Sequence, residues 1–143
     1  QLGKLEEKII FPVHPRTRKM LASTFLLPVN IILTEPQGYL DFITLENSAK
    51  RIITDSGGIQ KEAYILRKPC ITLRTETEWV ETVGCGANVL IAPPAALQAL
   101  APAIQRSLSA PREWDRTAYG RGDAATAIAR ATSNHAFAMP GTR

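Results

Sequence analysis

Residues 54–62, Thr54-Asp55-Ser56-Gly57-Gly58-Ile59-Gln60-Lys61-Glu62, carry the densest chemistry in this 143-residue chain. They join an apolar run, Arg51-Ile52-Ile53, to a segment that reads as helix. At such a junction the first backbone N–H groups of the helix have no partner of their own, and the dipole places its positive end there. The two glycines admit close approach by an oxygen-rich group, and the Ser56 hydroxyl can donate to phosphate. A second role is open to the same residues: a tight turn, with Ser56 capping the helix. Glu62 stands four positions after Gly58, on the same helical face, and leans back toward the junction. It suits a ribose diol, or it complements the helix dipole as a first-turn acid. Phosphate beside a carboxylate-held diol is what a nucleoside diphosphate offers.

Three further clusters follow apolar runs. His14, beside Pro15 and Arg16, either donates to a phosphate or sugar oxygen or orders its own turn, and Arg16 and Arg18 add positive field. Gln37, Tyr39 and Phe42 could hold a flat base by packing and edge hydrogen bonds; alternatively Gln37 is a turn residue and Phe42 is core. Arg74 either neutralises a diphosphate or closes its loop through Glu76 or Glu78. The run from Tyr119 to Asp123 is a turn to which no chemistry is assigned.

The elements that must position these clusters alternate in type. Short apolar runs at 9–13, 29–33, 51–54, 69–73 and 87–91 read as buried strands. Helices are expected at 16–23 after Pro15, at 39–49 with Leu40, Ile43 and Leu45 in register, and at 59–66. A short helix fits 78–83, a longer one fits 95–108, and a last one fits 124–131. Residues 2–8 read as the end of a helix, and 140–143 should fray. Strands without internal alternation suit a parallel sheet covered on both faces. The expected fold is an α/β, Rossmann-like doubly wound parallel sheet, in which ligands bind beyond the carboxyl ends of the strands.

Composition narrows the classes. Apolar content of 45% and charged content of 21% suit one globular domain. The net charge of +4 is modest and the basic residues are scattered, which disfavours a dedicated nucleic-acid binder. No run is apolar and long enough to span a bilayer. Cys70 and Cys85 make neither a disulfide framework nor a zinc set, so a reduced cytoplasmic setting is expected. His135, the other histidine, completes no metal-ligand spacing, and no metal site is expected.

Taken together, Pro12-Val13-His14-Pro15-Arg16-Thr17, Glu35-Pro36-Gln37-Gly38-Tyr39-Leu40-Asp41-Phe42, residues 54–62 and residues 74–80 resemble the C-terminal half of the non-hydrolysing UDP-N-acetylglucosamine 2-epimerases. The likeness runs from about Ile9 to about Ala131. It implies one half of a glycosyltransferase-B-type two-domain fold, with 1–143 as the C-terminal nucleotide-sugar-binding domain and a helix from about 124 packing outside its core. By matched position, Ser56, Gly57 and Gly58 would meet the phosphates and Glu62 the ribose. Gln37 and Phe42 would line the uracil pocket, and His14 and Arg74 would lie at the cleft.

Many members of that family have an arginine where this chain has Trp79. The Thr77-Glu78-Trp79-Val80-Glu81 form is more similar to the branch acting on UDP-2,3-diacetamido-2,3-dideoxyglucuronate. The resemblance implies inversion at C2 of a UDP-2-acetamido sugar, no cofactor, and a homodimer in the full-length protein. It also implies a role in cell-envelope polysaccharide biosynthesis. The catalytic carboxylates would belong to an N-terminal domain that these residues do not include, so this chain is expected to bind UDP-sugar weakly and to contribute no catalytic residue. A hydrolysing epimerase or glycosyltransferase of the same fold, and a non-catalytic nucleotide-binding module, are the alternatives.

Overall fold

Parallel pairing organises all five strands of the computed structural model, which describes residues 2–24, 26–109, 114–115 and 117–136. Strand β1 (Ile9–Pro12) pairs with β2 (Ile31–Thr34) in one sheet. Strands β3 (Ile52–Thr54), β4 (Cys70–Thr72) and β5 (Asn88–Leu90) form a second sheet in that order. Helices α1 (Pro15–Thr24), α2 (Tyr39–Ser48), α3 (Gly57–Ile65), α4 (Val80–Gly84) and α5 (Pro93–Ser109) each follow a strand or its loop, and α6 (Ala124–Ala136) comes last. The α/β order with parallel strands stands as expected.

The three-stranded sheet holds the core. Successive strand residues face opposite ways. Ile71, on one face, packs with Ile91, Leu100, Ala103 and Ile104, joined by Ile53 and Val89, which roots α5 there. Ile52 and Cys70, on the other face, pack with Ala63 and Ile59 of α3. Central β4 is buried throughout. The two-stranded sheet is less covered: Ile10 is 50% exposed and Ile32 41% exposed.

Several boundaries differ from the sequence expectation. Residues 2–8 contain only a single 3-10 turn, Leu2–Lys4. Strand β2 starts at Ile31 rather than at 29, because Asn30 turns the chain there and donates its amide to the carbonyls of Leu2, Leu5 and Glu7. Val29 is consequently exposed. In α2, Leu40 faces solvent, and the residue that the helix buries is Glu46. Helix α3 begins two residues early and takes both glycines into its first turn. Helix α6 runs past 131 to Ala136, and residues 124–133 are exposed. Residues 140–143, expected to fray, lie outside the described residues.

Candidate functional site

The junction after β3 is built from backbone. Ser56 takes the N-cap position of α3 with extended φ −83° and ψ 131°, and its side chain makes no capping hydrogen bond. The capping role open to Ser56 from sequence is therefore not the one it takes. Its own amide donates to Thr54 Oγ1 at 3.0 Å, and its carbonyl accepts from the Gln60 backbone amide and from Gln60 Nε2. The amides of Gly57, Gly58 and Ile59 are the first of the helix, before any intrahelical acceptor is available. Neither glycine sits in the left-handed region. Their missing side chains matter for space instead. A Cβ on Gly57 would run into the Glu78 carboxylate, whereas one on Gly58 would meet only Ser56 Oγ at 3.9 Å.

The loop after β4 forms the rim. Arg74 Nη1 lies 3.1 Å from Glu78 Oε2, so of the two acids open to it from sequence Arg74 pairs with Glu78. Trp79 Nε1 donates to the Gly57 carbonyl at 2.7 Å, and the Trp79 amide donates to Thr77 Oγ1. Thr77 donates in turn to Gln60 Oε1 at 2.6 Å. Gln60 is wholly buried. It also accepts from Asn88 Nδ2, while Asn88 accepts from Thr72 and lies against Thr82 Oγ1. This buried network ties the rim loop, α3, β4 and β5 together, running from Thr72 at the carboxyl end of β4 to Asn88 at the start of β5. A satisfied buried polar network rigidifies what it joins. Trp79→Phe removes one of its outer bonds and should cost about 1 kcal/mol in urea-melt stability, the worth of a typical hydrogen bond.

An aromatic group backs the rim. The Tyr119 ring stands edge-on to Tyr64 and Trp79, and Lys61 Nζ sits 4.9 Å from the Trp79 ring and 5.1 Å from that of Tyr119. Burial and the Glu81 carboxylate push the Tyr119 hydroxyl up to about 12, which keeps it a donor to Glu81 Oε2 at 3.3 Å. The Tyr119 segment, assigned no chemistry from sequence, thus packs behind the site.

The expected site residues divide into two groups. Gly57, Arg74 and Glu78 come together, with Ser56 and Gly58 on the same turn. Glu62 is half-buried one turn on, close enough to Glu46 for their charges to interact. His14 is exposed and accepts the Arg16 amide on Nδ1 at 3.3 Å, the local turn role. Gln37 is exposed and donates to the Glu35 carbonyl at 2.6 Å, so its amide holds its own turn. Phe42 is half-buried. Among the described residues no hydrogen bond or ion pair joins His14, Gln37 or Phe42 to 56–62. Arg18 is engaged with Glu35 at 3.1 Å.

Sequence reading missed Gln60, Asn88, Thr77 and Glu46. Asn88 inside an apolar run was the one local signal of a buried polar network. Glu46 carried none, since it looked like any charged position on an amphipathic helix. It is 5% exposed, and neither carboxylate oxygen has a partner among the described residues.

Comparison with known proteins supplies the context for this geometry. The UDP-N-acetylglucosamine 2-epimerase family model matches residues 1–133. The UDP-N-acetylglucosamine 2-epimerase of Methanocaldococcus jannaschii is 42% identical over 130 residues, 87% of this chain and 35% of that protein. The UDP-2,3-diacetamido-2,3-dideoxy-D-glucuronate 2-epimerase of Pseudomonas aeruginosa is 43% identical over 122 residues, 85% of this chain and 33% of that protein. The crystal structure of the M. jannaschii protein in complex with UDP-GlcNAc and UDP superposes with a TM-score of 0.76 at 42% identity, over 89% of this chain and 36% of that one. The chain thus spans about a third of the length of these relatives.

Proposed function

This chain belongs to the UDP-N-acetylglucosamine 2-epimerase family, and we propose from that premise that it is the UDP-binding part of an isomerase. That isomerase inverts C2 of UDP-N-acetylglucosamine, giving UDP-N-acetylmannosamine, or acts likewise on a related UDP-2-acetamido sugar. Ser56, Gly57 and Gly58 receive the diphosphate and Glu62 the ribose. Phe42 and Gln37 face the uracil, and His14 and Arg74 border the cleft. Gln37 and His14 then exchange their local bonds for ligand, an exchange open to exposed side chains. The catalytic acid and base come from an N-terminal domain, and the whole enzyme works as a cytoplasmic homodimer in cell-envelope polysaccharide synthesis.

One observation carries this reading. The α3 N-terminus is left uncapped by its own serine, has a cation on its rim and bears a carboxylate one turn further on. The solved relative bound to UDP-GlcNAc and UDP supports it. The P. aeruginosa relative favours a second sugar, a diacetamido uronate.

Titration calorimetry with UDP and pyrophosphate tests the assignment. Glu62→Ala should weaken UDP by about 10- to 100-fold, the loss of charge-assisted hydrogen bonds to the diol. Pyrophosphate, which has no ribose, should bind unchanged or tighter. An equal loss for both ligands would remove the ribose role.

A further inference from the structure

We propose that Glu78 is an internal competitor for the diphosphate: its carboxylate holds the mouth of α3 and the Arg74 guanidinium until a phosphate takes both. The inference rests on the reading of Ser56, Gly57 and Gly58 as the phosphate site.

The mouth already holds an anion. The Glu78 carboxylate reaches the space a Gly57 side chain would need, its carbon 3.3 Å from that Cβ position, with Arg74 Nη1 at 3.7 Å. Negative charge is favoured there by the bare amides and by the helix dipole. Arg74 completes the arrangement through its 3.1 Å contact with the same carboxylate. An incoming phosphate needs the space in front of those amides and the same guanidinium, and it would meet a like charge at close range.

The exchange costs little because only one side chain has to move. The Arg74 and Glu78 side chains are 35% and 50% exposed, and a pair so exposed is weak. The loop backbone is not free to follow. Trp79 is pinned to the Gly57 carbonyl and to Thr77, and Thr77 to buried Gln60. Glu78 therefore swings to solvent on a fixed loop, and Arg74 passes from carboxylate to phosphate. The competitor sets an upper limit on affinity, which favours release of the nucleotide.

The test compares this chain with its Glu78→Gln variant by titration calorimetry against UDP, sodium pyrophosphate and uridine. Glutamine keeps the shape and the hydrogen bond to Arg74 but removes the charge. UDP and pyrophosphate should bind about five- to tenfold more tightly to the variant, with uridine unchanged. Equal or weaker UDP binding by the variant, with the parent chain binding UDP normally, overturns the proposal and leaves the site standing. A gain for uridine as large as that for UDP overturns it too, because the effect would then not come from phosphate. UDP binding by neither protein removes the diphosphate site and the competitor with it.

Discussion

Gly58→Val should abolish measurable UDP binding while the chain stays folded. The proposed diphosphate site consists of amides on the first turn of α3, and a branched side chain there stands between those amides and any phosphate. Losing two charge-assisted hydrogen bonds costs roughly 3–6 kcal/mol, which is more than about a hundredfold in affinity. The fold has no reason to object. The nearest atom to a Cβ at this position is Ser56 Oγ at 3.9 Å, and the residue is exposed. Valine is also a better helix former than glycine, so the melting temperature should move by no more than about 3 °C. UDP affinity within about threefold of the parent, in a variant that melts normally, would show that the ligand does not use this turn. Gly57 is the less clean position, because a Cβ there would also expel Glu78.

Glu46→Gln should reverse a loss of stability that the parent suffers as pH rises. Burial first, and then the Glu62 carboxylate, push Glu46 up from 4.5 to about 7. The folded chain therefore holds this proton more tightly than the unfolded chain does. Between about pH 4.5 and pH 7 the folded state keeps more protons, so stability falls as pH rises through that window. The contribution is fully present below about 4.5 and lost above about 7, on the order of 2–3 kcal/mol.

Glutamine has no proton to lose. Urea melts should show the variant level with the parent, or slightly weaker, near pH 4. Near pH 8 it should be more stable by on the order of 2 kcal/mol. Parallel stability profiles from pH 4 to pH 8 would refute the assignment. Two other groups with shifted titrations fall outside this window. Burial holds the Cys70 thiol up at about 11. Bonds from Thr117 hold Asp115 below the ordinary carboxylate range, so its stabilisation is lost only in stronger acid.

What was legible in the sequence follows the range of the forces involved. The alternation of strands and helices could be read because short apolar runs and glycine-proline punctuation act over a few residues. The anion-binding turn could be read for the same reason, since a strand end, a serine, two glycines and a helix start are neighbours in the chain. Local chemistry misled where two local roles competed. Leu40 and Glu46 both lie on α2, and helical register alone does not say which side meets α3. Val29 looked like strand until Asn30 found three carbonyls more than twenty positions away.

By itself, then, the sequence determined the α/β order, the bare-amide turn at 56–58 and the family, all written in contiguous residues. Only the tertiary structure decided what stands around that turn. It chose Glu78 rather than Glu76 as the partner of Arg74, and it seated Trp79 on the Gly57 carbonyl. It linked Gln60 to residues 17 and 28 positions away, and it buried Glu46 beside Glu62. Each of these depends on which side chains the parallel sheet brings to one edge, and the cost of an unpartnered polar group in a dry interior selects among them.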